Sequence, residues 1–252
     1  MKKTVLVTGA TSGFGKAIAT RFAKDGDDLI ITGRREDLLT ELSTNLRKEF
    51  EIKVFSLCFD VRSKEEVELA IASLPEEWKE IDVLVNNAGL AVGLNPIQEG
   101  VIDDWDRMID TNVKGLLYMT RYVSPLMVER KKGHIINIGS IAGKEVYPNG
   151  NVYCGSKFAV DAITKGMRID LLKHNIKVTQ VAPGAANTEF SLVRFKGDQP
   201  HADAVYNGFT PLNAEDVAEV VWYVTSLPPH VNINDLVIMP TAQASSMHFH
   251  KS

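Results

Sequence analysis

Tyr153 and Lys157 stand four positions apart in the stretch "YCGSK". On a helix that spacing puts both side chains on one face, a turn apart. A phenol beside a fixed ammonium ionises more readily, because the cation favours the charged form. An unperturbed phenol titrates at about 10, so such a neighbour would bring it towards the pH at which it could act as a base. The pair could therefore take a proton from a hydroxyl being oxidised, or return it to a carbonyl being reduced. The same spacing also occurs on ordinary helices, and the rest of the chain has to decide between the two. Ser140 closes the apolar run "GHIINIGS" and could hydrogen-bond a reacting oxygen or simply end a strand. Asn112, in "DTNVKG", could serve a site or satisfy a local backbone group.

A second set of residues points to a nucleotide. "TGATSGFG" (8–15) carries Gly9, Gly13 and Gly15 between a β-rich run and a helical pattern. This spacing departs from the G-x-G-x-x-G dinucleotide fingerprint. Its glycines would still allow a tight turn and a close approach to a pyrophosphate, with a helix N-terminus behind it offering free N–H groups. A plain tight turn is the competing account. At the end of the next β-rich run, "TGRRED" places Arg34 and Arg35 where an NAD site would want an acid. A guanidinium suits a 2′-phosphate, which favours NADP; the alternative is two solvated arginines at a helix start.

Those residues hang on a regular alternation of elements. Strands are expected over 4–9, 28–33, 53–61, 81–89, 133–140, 176–184 and 235–240. Helical spacing of apolar residues falls between them, over 15–26, 35–50, 63–74, about 103–130 and from Tyr153 to about His174. Ser63 with Glu66 reads as a capping box. Several strands are continuous apolar runs, as strands covered on both faces are. The pattern predicts an α/β fold: a Rossmann-type, doubly wound, seven-stranded parallel sheet with helices on both faces. Residues 1–252 read as a single dinucleotide-binding catalytic domain. The stretch at about 185–213 breaks the rhythm, as functional or disordered loops do.

Composition narrows the partners. The 252 residues are 44% hydrophobic and 24% charged, with net charge −4, an ordinary globular mix with no basic footprint for nucleic acid. Two cysteines, Cys58 and Cys154, suggest neither a disulfide framework nor zinc, and His134, His248 and His250 form no metal pattern. No apolar run approaches membrane-spanning length, and the N-terminal apolar run is too short for a signal core, so a cytoplasmic protein is expected.

With these motifs in order, the chain resembles the short-chain dehydrogenase/reductase family over about residues 3–240. "TGATSGFG" resembles its cofactor turn, which implies cofactor contacts at Gly9, Thr11, Ser12, Gly13, Phe14 and Gly15. "DV" (Asp60, Val61) resembles the pair whose Asp contacts the adenine, and "NNAG" supplies Asn87, Ala88 and Gly89. "PGAANT" resembles the nicotinamide-side segment, with Pro183, Gly184 and Thr188; Ala186 stands where Val or Ile is usual. Asn112, Ser140, Tyr153 and Lys157 resemble the catalytic set, at the usual step from Ser140 to Tyr153. The resemblance implies that Asn112 helps to position a water linking Lys157 to solvent. "NNAGLAVGLNP", "GNVYCGSK", "VRFKGD" and "HVNINDLVIMP" look closer still to bacterial NADP-dependent 3-hydroxy acid dehydrogenases acting on serine and L-allo-threonine. That likeness implies a small hydroxy-acid substrate. Helices paired between subunits, as in the family, imply a homotetramer. The chemistry could instead serve a sugar, a keto-acyl thioester or a bulky ketone, or be absent in a cofactor-sensing relative.

A hydroxy-acid substrate needs a cation for its carboxylate. Arg194 and Lys196 lie on the loop after the sixth strand, on the ligand side of such a sheet. Arg194 is the better candidate, because its planar fork can grip both oxygens. A solvated arginine is the alternative. Substrate contacts are thus expected at Ser140, Tyr153 and Arg194, and no metal is expected.

Overall fold

Seven strands form one sheet in which every neighbouring pair is parallel. The computed structural model describes residues 2–252. The strands are β1 (Thr4–Val7), β2 (Asp28–Gly33), β3 (Val54–Cys58), β4 (Val83–Asn86), β5 (Gly133–Ile138), β6 (Ile176–Pro183) and β7 (Asp235–Ile238). Their spatial order is β3-β2-β1-β4-β5-β6-β7. The chain moves outward from β1 to β3, returns beside β1 as β4, and moves outward again. That reversal opens a crevice beyond the carboxyl ends of β1 and β4, where ligands sit in such sheets.

The helices are α1 (Gly13–Lys24), α2 (Glu36–Phe50), α3 (Lys64–Ala72), α4 (Ile102–Ile109), α5 (Leu116–Arg130), α6 (Asn151–Leu171), α7 (Glu189–Arg194), α8 (Gln199–Ala204) and α9 (Ala214–Ser226). Alternate strand residues divide between two cores. Val5, Val7, Leu29, Ile31, Val83 and Val85 pack on one face against Ile18 and Phe22 of α1, Leu39 and Leu42 of α2, and Val217 and Val221 of α9. Leu6, Ile30, Leu84 and Ile135 pack on the other against Val67 of α3, Met119 and Val123 of α5, and Val160 and Met167 of α6. Each fully buried side chain of this size contributes about 1.5–3 kcal/mol, so period-two strands between helices of period 3.6 fix the register.

One polar seam runs through the second core. Asn86 on β4 donates to Asn137 on β5 at 2.9 Å and to Thr120 of α5 at 3.0 Å. Asn137 in turn donates to Thr164 of α6 at 2.9 Å. Out of water such bonds are directional and costly to leave unmade, so they tie α5 and α6 to defined heights on the sheet. Tyr153 and Lys157 are carried by α6.

Three local expectations need correction. Ser63 accepts from Glu66 N at 3.2 Å, but Glu66 Oε2 accepts from Asp60 N at 2.9 Å; the capping box is only half made, and the acid steadies the β3–α3 loop instead. The helix expected over 103–130 is two helices joined by a π-helical turn at Asp110–Gly115, which holds Asn112. Such turns displace one residue from the helical ladder and recur at functional sites. The 185–213 segment is not structureless: it folds α7 and α8, capped by Thr188 and Asp198, whose side chains accept from Phe190 N and His201 N.

His134 lies on β5, buried, with Nε2 2.8 Å from Thr179 Oγ1. Thr179 already donates to Ile233 O at 2.6 Å, so the imidazole donates from Nε2. Burial, with Lys177 and Lys3 adding repulsion, lowers its pKa from 6.5 to about 3. The unfolded chain therefore takes up a proton below about 6.5 that the folded chain refuses until about 3, and stability falls with pH across that window. The slope from this one group approaches about 1.4 kcal/mol per pH unit. Denaturant unfolding of His134→Gln at several mildly acidic pH values should show a slope shallower by up to that amount. An unchanged slope would mean that the imidazole is charged within the fold.

Candidate active site

A cleft of about 390 Å³ lies over the carboxyl ends of the central strands. The glycine-rich turn, the residues after β2, β4 and β5, and α7 form its walls. Of the residues singled out in the sequence, Gly9, Thr11, Ser12, Gly13, Phe14, Arg34, Arg35, Asp60, Val61, Asn87, Ala88, Gly89, Tyr153, Lys157 and Thr188 line this cleft. Gly15, Asn112, Ser140, Pro183, Gly184 and Arg194 lie outside the lining.

The turn is built for close approach. Gly9 sits at φ +65, and a Cβ there would lie 3.0 Å from Ala88 Cα. A Cβ on Gly15 would meet the Gly9 carbonyl oxygen at 2.2 Å, so this glycine lets α1 start directly beneath the turn. Ser12 makes no side-chain cap, which leaves the first-turn N–H groups of α1 to an anion. Thr8, which sequence reasoning passed over, fastens the turn to β4: its Oγ1 accepts from Asn87 N at 3.0 Å and Ala88 N at 2.9 Å. Asn87 Nδ2 reciprocates by donating to Thr8 O at 2.8 Å and Gly9 O at 3.2 Å. These residues fit the pyrophosphate of a dinucleotide.

At the far end of the cleft, Arg34 lies 3.5 Å from Asp60. Burial opposes the charge on Asp60, but hydrogen bonds from Arg62 and the charges of Arg34 and Arg62 outweigh it and hold the carboxyl below its usual range. Arg35 donates from Nε and Nη2 to Thr11 Oγ1 at 3.2 and 2.9 Å, and its Nη1 lies 3.3 Å from Glu189. Two guanidinium groups thus reach the rim where a 2′-phosphate would lie.

At the near end, Lys157 Nζ donates to Ile138 O at 2.9 Å and stands 6.0 Å from the centre of the Tyr153 ring. Both side chains are buried. Burial alone pushes the lysine down to about 8. It also pushes the Tyr153 phenol well above its ordinary value, with help from Tyr147 and against the pull of Arg194 and Ser140. The expectation that Lys157 would lower the phenol is therefore corrected for the protein alone: desolvation wins. Ser140 Oγ accepts from Ala142 N at 3.1 Å, capping the short turn that follows β5. Asn112 uses its amide inside the protein, accepting from Leu90 N at 2.8 Å and donating to Leu90 O at 2.8 Å and Ser156 Oγ at 3.0 Å. It braces the loop after β4 against α6.

Arg194 ends α7 with its Cζ 5.0 Å from the centre of the Tyr153 ring. It hydrogen-bonds Tyr147 OH, and its buried Nε has no partner. Phe190 packs 5.6 Å from the Tyr153 ring. Lys196, the other cation considered, is taken by Asp104 at 2.8 Å. The segment after β6 is held by groups with no local sequence signal. Gln243 Oε1 accepts from Ala185 N at 2.8 Å, and Tyr206 OH donates to Ala186 O at 2.6 Å. Ala186 thus serves through its backbone, which any residue supplies. The arrangement provides a cleft that fits a dinucleotide, a buried phenol, a buried amine beside it and a guanidinium close to the phenol ring.

Among the described residues no helix is long and apolar enough to cross a membrane. None of their His, Cys, Asp or Glu side chains group in threes to hold a metal.

The short chain dehydrogenase family profile matches residues 3–198. NADP-dependent 3-hydroxy acid dehydrogenase YdfG of Salmonella typhi is 49% identical over 250 residues, covering 98% of this chain and 99% of that protein. Sulfoacetaldehyde reductase 2 of Chromohalobacter salexigens is 49% identical over 247 residues, covering 98% and 97%. Among solved structures, the closed form of serine dehydrogenase complexed with NADP+ shares 48% identity at a TM-score of 0.92, covering 99% of this chain and all (100%) of that one. Motifs, sheet order, cleft and these likenesses agree, and the chain belongs to the short chain dehydrogenase family.

Proposed function

We propose that the protein is an NADP-dependent oxidoreductase that interconverts short 3-hydroxy acids, of the serine and allo-threonine type, with their 3-oxo forms. The observation that carries this reading is the position of Arg194: a guanidinium 5.0 Å from the ring of the proton-exchanging Tyr153. A substrate whose carboxylate carbon lies two carbons from its hydroxyl-bearing carbon could reach both. NADP supplies the hydride acceptor and, when oxidised, a fixed positive charge.

The chain's own residues handle the proton and the orientation. Tyr153 takes the hydroxyl proton during oxidation and donates it during reduction. Lys157 stands behind the phenol and holds the cofactor ribose. Ser140 hydrogen-bonds the reacting oxygen and stabilises charge there. Asn112 keeps α6 in place by the bonds described above. Arg34 and Arg35 hold the 2′-phosphate. Arg194 grips the acid, with Val193 and Phe190 on its helix closing the cleft wall.

A sulfonate in place of the carboxylate is a second reading. It is favoured by the same arginine and by the similarity to a sulfoacetaldehyde reductase. NADP-dependent rates over a panel of 3-hydroxy acids, 2-hydroxysulfonates and neutral secondary alcohols test the two. Preference for neutral alcohols would contradict both.

Residues 1–252 form one catalytic unit in this reading, with 185–213 as its substrate segment. Exposed Ile102 and Ile109 on α4, Leu117 on α5, and Phe158 and Ile169 on α6 support pairing of these helices in a homotetramer. The setting we assign is the cytoplasm.

Removing the Tyr153 hydroxyl should cost about 10²–10⁴-fold in kcat, the usual worth of a general acid–base group. Tyr153→Phe should leave NADP binding nearly intact. Retention of a tenth or more of wild-type kcat would remove the assigned role. Replacing both Arg34 and Arg35 by Gln should weaken NADP binding tenfold or more beyond any loss for NAD, since each bond to a charged group is worth about 1.5–3 kcal/mol. Equal losses would point to a folding defect. Arg194→Met should lower kcat/KM for hydroxy acids and spare a neutral secondary alcohol; the same effect on both would leave Arg194 with no part in recognising the acid.

A further inference from the structure

Arg35 joins two walls of the cofactor cleft. On one side its Nε and Nη2 donate to Thr11 on the glycine-rich turn, and on the other its Nη1 meets Glu189 Oε2 at 3.3 Å. Glu189 is the first residue of α7, the helix that ends in Arg194. Both partners of the pair line the cleft and are about half exposed, 47% and 54%. Glu36 and Asp37 follow Arg35 in the sequence, yet among the described residues neither forms an ion pair with it. Asp60 is occupied by Arg34 and Arg62. The one acid on Arg35 therefore comes from across the cleft.

A guanidinium presents its donors on fixed edges, so two anions that want the same edges compete for them. A 2′-phosphate gripping Arg35 must either displace the Glu189 carboxylate from Nη1 or sit beside it. Displacement forfeits the ion pair, and coexistence places like charges on one cation. Both oppose the phosphate and neither touches a cofactor that lacks it.

We infer that Glu189 is a cofactor-specificity residue, a built-in competitor that tempers the affinity for NADP without affecting that for NAD. The inference rests on the assignment of Arg35 to the 2′-phosphate. Binding of a 2′-phosphate frees the first residue of α7 from the turn, and a cofactor without one leaves the two walls latched. The cofactor's far end is thereby linked to the helix that carries Arg194.

The test is calorimetric titration of NADP, NAD, 2′,5′-ADP and 5′-AMP into the wild-type protein, Glu189→Gln, Arg35→Gln and the double variant at low ionic strength. A half-exposed pair is a modest interaction, so Glu189→Gln should tighten NADP and 2′,5′-ADP by about two- to fivefold and leave NAD and 5′-AMP unchanged. The gain should vanish in the Arg35→Gln background. Unchanged or weaker binding of 2′,5′-ADP to Glu189→Gln, with Arg35→Gln still losing it tenfold, would overturn the competitor and keep Arg35 as the phosphate holder. No selective loss in Arg35→Gln would overturn that assignment itself and the inference with it.

Discussion

Tyr153 and Lys157 lie a turn apart on α6, almost wholly out of water, and burial works against the charge each would carry. The lysine falls to about 8 and the phenol rises well above its ordinary value. Neither group corrects the other at 6.0 Å between ammonium and ring centre. The dry setting is what makes an added positive charge effective, because electrostatic coupling strengthens as water is excluded. The same burial makes the site's scaffold demanding. The ammonium needs its bond to Ile138 O, and the loop after β4 needs Asn112. The height of α6 depends on the Asn86–Asn137–Thr164 seam. The π-helical turn that carries Asn112 belongs to this scaffold, because it aims the amide at Leu90 and Ser156 together.

The fold was largely legible in the sequence because its signals are local and repeated. Continuous apolar runs such as "TVLV" and "DLIITG" announce strands covered on both faces, and both feed the two cores. The glycine-rich turn, Arg34, Arg35 and the Tyr153–Lys157 spacing were legible because each needs residues close together in the chain. Helix 103–130 was only half legible: periodicity does not register one extra residue in a turn. Contacts between distant segments carried no signal. Gln243 reaches Ala185 across 58 positions, and Thr8 reaches Ala88 across 80. The state of the phenol was misread for a related reason, since a four-residue spacing reports proximity on a helix but says nothing of how dry the place is.

The short helix α7 gathers the variable parts of the design. Its first residue pairs with Arg35 at the cofactor's far rim, and its last places a guanidinium over Tyr153. Beyond it, Lys196 is held by Asp104 of α4 and Gly93 N donates to Arg194 O at 2.9 Å, so both ends of the helix are tied to opposite banks of the cleft. A segment that leaves the carboxyl end of β6 can do this because the sheet reversal puts cofactor and substrate side by side there. Tyr153 and Lys157 stay on the long helix α6, and the guanidinium beside them comes from a helix of six residues.

The claim at the centre of this account is that burial keeps Tyr153 protonated until the oxidised cofactor supplies positive charge. Ultraviolet difference titration of the wild-type protein against Tyr153→Phe measures that phenol directly, without cofactor, with NADPH and with NADP+. The account predicts no Tyr153 phenolate below about pH 10 in the first two cases. With NADP+ it predicts a fall in the phenol's pKa of about two units or more. A phenolate already present near neutrality in the protein without cofactor would contradict it.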